Sequence, residues 1–158
     1  MQIRNYRDGD APLLRELFHA SVHDLASRNY TPDQLDAWAP LAHDAAQWEA
    51  RVRGNQPSVA DIGGQVAGYA DLQDTGYIDQ FFVAPAFARR GVASALMAHI
   101  HASAKQRGIT ALFADVSLTA EPFFSKAGFV VEQRQRVEVR GQALDNARMR
   151  KLPAAAYS

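Results

Sequence analysis

Apolar residues near the start of the chain recur every three or four positions, as they do along an amphipathic helix. They are Leu13, Leu14, Leu17, Phe18, Val22 and Leu25. Asp10 followed by Pro12 is typical of a helix start, so a helix is predicted from Asp10 to about residue 27. Helical spacing and turn-forming residues predict four further helices, over residues 31–38, 44–52, 91–106 and 120–127.

Between these helices some runs alternate apolar with polar residues, and others are rich in β-branched and aromatic residues; both patterns are typical of β-strands. Such runs predict strands over residues 2–6, 57–62, 65–72, 77–83, 109–116, 129–139 and 143–152. Gly63-Gly64 separates two of them and indicates a hairpin, whereas the strand–helix–strand order of residues 77–116 favours a parallel pair. The chain is therefore expected to form a mixed α/β (α+β) fold, with a central sheet of about seven strands flanked by helices.

Length and composition limit the classes of function. The 158 residues suit a single domain, expected over residues 1–152, with a short tail at residues 153–158. Lys plus Arg and Asp plus Glu each number 17, and this balance argues against a nucleic-acid partner. The chain has no cysteine, which excludes disulfides, thiolate metal sites and a cysteine nucleophile.

The cellular location is also limited by the sequence pattern. Residues 1–10 lack the apolar core of a secretion signal, and the uncharged run at residues 91–104 is too short and too polar to span a bilayer. A cytoplasmic protein without a membrane partner is expected.

The segment RRGVA at residues 89–93 is the first candidate for chemistry. It lies between a predicted strand and a predicted helix. The first N–H groups of a helix have no intrahelical partner, and with the helix dipole they suit an anion such as a pyrophosphate. The same residues also suit an ordinary loop with two solvated arginines, and the pattern alone leaves both interpretations open.

At these residues the sequence resembles the GNAT family of N-acetyltransferases, whose pyrophosphate motif is Gln/Arg-x-x-Gly-x-Gly/Ala. Residues 88–93 (ARRGVA) follow that motif, and the preceding FVAP at residues 82–85 matches the family's strand and proline. Residues 120–129 (AEPFFSKAGF) match its later short helix and Gly-Phe ending. The order of elements agrees over essentially the whole chain, and the helical insert at residues 23–39 is similar to the YafP-like subgroup.

The resemblance implies direct transfer of an acetyl group from acetyl-CoA to an amine, through a ternary complex and without a metal. A small-molecule acceptor is expected, and dimers are common in the family. The main-chain N–H of Val83 is implied to stabilise the reacting oxygen. The implied cofactor-binding residues are Phe82, Val83, Arg89, Arg90, Gly91, Val92, Ala93, Ser94, Ser117 and Phe124.

Two positions depart from the family pattern. Ala88 replaces the Gln or Arg that opens the motif, so one side-chain contact is missing. Phe124 stands where many members have a tyrosine that protonates the leaving thiolate, and it has no hydroxyl. A non-catalytic CoA-binding module of the same fold is therefore the alternative, whereas the absence of Gly-x-x-x-x-Gly-Lys-Ser/Thr argues against a P-loop enzyme.

The general base and the acceptor site are harder to predict. Asp79 is the candidate base, because four residues along a strand would place it on the same face as Val83. Aromatic residues are candidates for lining the acceptor site, although the same side chains could simply pack against the sheet. They are Tyr30, Trp38, Tyr69 and Tyr77.

Overall fold

The computed structural model describes residues 1–152 and has five α-helices and eight strands within them. The helices are α1 (Asp10–Leu25), α2 (Pro32–Trp38), α3 (Ala45–Asn55), α4 (Val92–Gln106) and α5 (Glu121–Lys126). The strands are β1 (Gln2–Asn5), β2 (Ser58–Ile62), β3 (Gln65–Ala70), β4 (Tyr77–Ile78), β5 (Phe81–Val83), β6 (Leu112–Ser117), β7 (Val130–Val139) and β8 (Gln142–Lys151). The mixed α/β class is confirmed, and the predicted tail at 153–158 lies outside the described residues.

The strands form two four-stranded sheets rather than one sheet of seven strands. Their orders are β1-β2-β3-β5 and β4-β6-β8-β7. Residues 77–83, predicted as one strand, are two strands with different partners: β4 pairs parallel with β6, and β5 pairs antiparallel with β3. The two sheets therefore separate at Asp79 and Gln80, and the prediction of a continuous strand is wrong.

A buried carboxylate explains the break in this strand. Asp71 is 1% exposed, and its two oxygens accept the backbone N–H groups of Asp79 and Gln80 at 2.9 and 2.8 Å. These backbone groups are thereby satisfied without a neighbouring strand. Burial raises the pKa of Asp71 to about 7, although the two backbone donors act to lower it.

The first three helices form a cap over one side of the sheets. Thr31 and Gln34 form a reciprocal capping box at the start of α2, and Asp44 accepts the Gln47 N–H at the start of α3. The indole N–H of Trp48 on α3 donates to the Ala11 carbonyl of α1 at 2.8 Å. The two caps define where α2 and α3 begin, and the Trp48 bond holds α3 against α1.

Helix α4 lies directly against β3 because Gly68 has no side chain. A Cβ at Gly68 would lie 2.9 Å from Val92 Cγ1 and 3.0 Å from the Phe82 carbonyl oxygen. This close approach places the start of α4 beside the end of β5. Among residues 1–152, no helix combines the length and apolar character needed to cross a membrane.

Candidate active site

The N-terminus of α4 forms an open cradle of N–H groups. Gly91, the residue before the helix, has a φ of 80°, and Arg89 has a φ of 62°. Within residues 1–152 neither a capping side chain nor a backbone carbonyl accepts the N–H groups of Val92, Ala93 and Ser94. Unpaired donors at the positive end of a 15-residue helix create a favourable site for an anion.

A cavity of about 350 Å³ extends from this cradle, and we name it the α4 cavity. It is lined by β5, by the start of α4, by α1 residues and by the segment from Ser117 to α5. Nearly all the residues implied to bind the cofactor line it, namely Phe82, Val83, Arg89, Gly91, Val92, Ala93, Ser94, Ser117 and Phe124. Arg90 does not, and its guanidinium lies 5.2 Å from the centroid of the Phe87 ring.

The backbone of β5 presents an unpaired edge at Val83. The Ala84 N–H donates to the Ala67 carbonyl of the β3 segment at 2.8 Å, and Val83 stands opposite Gly68. Because N–H groups alternate along an antiparallel ladder, the Val83 N–H points away from β3. The strand is last in its sheet, so this donor is directed toward the separation between the two sheets.

Phe124 closes the α4 cavity with a hydrocarbon ring. Its side chain is 3% exposed and packs edge-on against Phe81 and Phe129, with ring centroids 5.6 and 5.0 Å apart. It offers no proton to a leaving group. Ser117, also at this cavity, has a hydroxyl whose oxygen accepts the Ala120 N–H at 3.1 Å.

A second cavity of about 850 Å³ lies beneath the helical cap, and we name it the cap cavity. Residues of α1, α2, α3, β7 and β8 line it. Three residues line both cavities: Trp38, Phe82 and Ser117. The two cavities therefore adjoin at the position where the sheets separate.

Asp79 lies in the cap cavity, whereas Val83 lies in the α4 cavity. The expectation that they share a strand face is wrong, because the strand breaks at Asp79. Its carboxylate accepts two N–H groups of Arg51, both at 3.1 Å, and the amide N–H of Asn55 at 2.8 Å. These three donors already occupy the oxygens that a general base would use.

The four candidate aromatic residues divide into two pairs. Tyr30 and Trp38 line the cap cavity, and the Tyr30 hydroxyl donates to the Asp145 carbonyl at 2.6 Å and accepts the Leu118 N–H at 3.0 Å. Burial raises the pKa of Tyr30. This residue ties the cap to the strand ends beside Ser117.

Tyr69 and Tyr77 line neither cavity, so the structure gives no support to their prediction as acceptor-site residues. Tyr69 is 0% exposed within the core, and burial raises its pKa well above the usual value. Tyr77 packs on Phe113, and its hydroxyl donates to Asp115 at 3.3 Å. Burial and the nearby carboxylate of Asp115 raise the pKa of Tyr77 to about 12.

Sequence reasoning missed Arg15 and Gln80, which are both buried and line the cap cavity. Arg15 stands three residues before Phe18 and seven before Val22, so it belongs to the apolar face of α1. A charged residue on an apolar helix face was the available signal. No sequence signal marks Gln80 as buried, because its burial follows from the break in the strand.

Comparison with known proteins identifies the family. Residues 26–151 match the model described as Acetyltransferase (GNAT) domain. The chain belongs to the GNAT acetyltransferase family. It is 40% identical over 153 residues to the uncharacterized N-acetyltransferase YafP of Escherichia coli (strain K12), covering 97% of each chain.

Solved GNAT structures share the fold over nearly the whole chain. A GCN5-related N-acetyltransferase from Rhodopseudomonas palustris, also titled Aminotransferase, Class-II, has 34% identity and a TM-score of 0.91 over 96% of this chain and 94% of its own. PaiA N-acetyltransferase from Thermoplasma acidophilum, solved in complex with coenzyme A, has 16% identity and a TM-score of 0.73, with 96% and 98% covered. At that identity the likeness shows the fold alone.

Proposed function

We propose that this GNAT protein transfers the acetyl group of acetyl-CoA directly to the amine of a small-molecule acceptor, within a ternary complex. The observation that carries the proposal is the contact between the two cavities. An anion cradle opens into the α4 cavity, and that cavity adjoins a second space large enough for an acceptor. A thioester and an amine bound in these two spaces would meet beside Ser117 and Phe82.

The cofactor half of the proposal follows from the free donors. The N–H groups of Val92, Ala93 and Ser94 bind the pyrophosphate, and Arg89 adds positive charge beside them. The Val83 N–H, directed toward the separation between the sheets, donates to the oxygen that gains charge in the tetrahedral intermediate. The same positions carry the resemblance to the family's pyrophosphate motif.

Proton transfer requires two further groups. An alkyl amine has a pKa of ~10 and must lose a proton before it attacks, whereas a thiol with a pKa of ~8.5 is a tolerable leaving group without a strong acid. Ser117 is the residue with a hydroxyl among the three that line both cavities, so it is placed to assist the thiolate in the absence of a hydroxyl at Phe124. Asp79 remains the candidate base, acting only when its contact with Arg51 opens.

The proposal is tested by thiol release from acetyl-CoA against pooled amines, followed by mass spectrometry of each pool. The pools contain amino acids, polyamines, aminoglycosides, aryl amines and short peptides. Thiol release together with a product heavier by one acetyl group supports the proposal and names the acceptor. CoA binding without transfer to any amine favours the non-catalytic module, for which the buried Phe124 is the supporting observation.

A further inference from the structure

Arg15 is a buried cation without a carboxylate partner. The residue is 6% exposed on α1, and none of the ion pairs among residues 1–152 includes it. One N–H donates to the Pro40 carbonyl, and the guanidinium carbon lies 5.3 and 5.6 Å from the ring centroids of Phe18 and Trp48. A guanidinium has five donors, so most of its hydrogen-bonding capacity is unused.

The other charges of the cap cavity leave it with unpaired positive charge. Asp79 is held by Arg51, and Asp115 is held by Arg148 at 2.8 Å. Arg140 also lines the cavity, and its guanidinium donates a hydrogen bond to the Ala37 carbonyl at 2.7 Å. The remaining carboxylate, Asp44, is exposed and caps α3 through its Oδ1.

Unused donors of a second type lie in the same cavity. Gln80 is 3% exposed, and its side-chain Nε2 has no hydrogen-bond partner among the described residues. An unpaired buried donor destabilises the fold unless an oxygen occupies the space beside it. Burial lowers the pKa of Arg15, Tyr69 acts to raise it, and the charge of Arg140 acts to lower it. A bound anion would oppose the effects of burial and of Arg140.

We propose that Arg15 binds a carboxylate of the acceptor, so that the substrate is a small primary amine that carries a carboxylate on an apolar body. The proposal rests on the proposed function, because it names the substrate class of the same site. The planar guanidinium pairs with the two carboxylate oxygens, and the aromatic rings of Trp38 and Phe18 contact the apolar body. With the carboxylate held by Arg15, the amine of the acceptor extends toward the position where the cap cavity adjoins the α4 cavity.

The test uses pairs of amines that differ only in the carboxylate. Phenylalanine is compared with phenylalaninamide and phenethylamine, and 4-aminobenzoate with aniline, in thiol-release assays. Binding is measured independently of turnover by calorimetry of the CoA-saturated protein with N-acetylphenylalanine and with N-acetylphenethylamine. The variants are Arg15→Met, Arg15→Lys and Arg140→Gln, and Arg53→Gln is the control, because Arg53 is exposed and lines neither cavity.

The expected result is a preference for the carboxylate member of a pair in kcat/KM or in Kd. Arg15→Met should remove about 10- to 100-fold of that preference, Arg15→Lys should restore part of it, and Arg53→Gln should leave it unchanged. Equal binding of the member that lacks the carboxylate, or equal weakening of both members by Arg15→Met, overturns the proposal.

The same experiments distinguish failure of the Arg15 proposal from failure of the proposed function. Failure of acetyl-CoA to bind refutes the proposed function, whereas repeating the same calorimetry on the protein without CoA still reports whether the cap cavity selects carboxylates. Transfer exclusively to amines that lack a carboxylate supports the proposed function and overturns the role of Arg15. Arg140→Gln, on an exposed residue, keeps the charge argument testable if the Arg15 variants fail to fold.

Discussion

Replacing Asp71 by asparagine tests how the break between the two sheets is stabilised. The folded-state pKa of Asp71 is raised from 3.8 to about 7, chiefly because the group is buried. The folded protein therefore keeps this proton at pH values where the unfolded chain has released it. The contribution of Asp71 to the free energy of unfolding is fully present below about pH 4 and is lost as the pH rises toward 7. At 1.36 kcal/mol per pKa unit, the loss amounts to about 4 kcal/mol.

Asp71→Asn removes this titration. The asparagine has one acceptor oxygen for two backbone N–H groups, so the variant should be about 1–2 kcal/mol less stable than wild type at pH 5. Because only the wild type loses stability as the pH rises toward 7, the difference should shrink, change sign by about pH 7 and stay constant above it.

Urea unfolding of both proteins from pH 5 to pH 8 measures this crossing, and groups that titrate in both proteins cancel in the comparison. Asp44→Asn is the matched control, since Asp44 is exposed and an asparagine also caps a helix. A constant difference between Asp71→Asn and wild type at every pH would show that Asp71 is ionised throughout, and the reasoning would be refuted.

Three further predictions concern the site. Asp79→Asn should keep the acetyl-CoA affinity and lower kcat by about 100-fold or more if this residue is the base; turnover like wild type in steady-state kinetics would exclude that role. Arg89→Gln should weaken CoA binding by about two- to fivefold in calorimetry at low salt, with Arg53→Gln unchanged; equal effects of the two would indicate a non-specific charge effect. Tyr30→Phe should cost about 1–3 kcal/mol in urea unfolding, because the Leu118 N–H loses its buried acceptor; an unchanged midpoint would contradict this.

Local sequence patterns predicted the elements of the fold because each depends on neighbouring residues. The Thr31 cap, the Gly63-Gly64 hairpin and the apolar face of α1 are all signals within a few positions of the element they define. The start of α4 was predicted for the same reason, since the segment RRGVA immediately precedes the helix. These signals also located the cradle of free N–H groups.

The break at Asp79 and Gln80 could not be predicted in the same way. It depends on the Asp71 carboxylate, which stands opposite Gln80 at the end of β3 and accepts two backbone N–H groups of the break. Aromatic and β-branched residues stand on both sides of Asp79 and Gln80, so the composition of residues 77–83 favours one strand. The burial of Tyr69 likewise depends on the way α1 packs over β3 and on the contact of Tyr69 with Phe82 of the neighbouring strand.

The central claim is that the free N–H groups of the α4 cradle and of Val83 hold acetyl-CoA beside the cap cavity. Amide NMR of the labelled protein, titrated with CoA and then with acetyl-CoA, tests this most directly. The account predicts that the largest shifts fall on Val92, Ala93 and Ser94 with either ligand, and that Val83 responds most to the acetyl group. Saturable shifts confined to other surfaces, with these four amides unchanged, would contradict it.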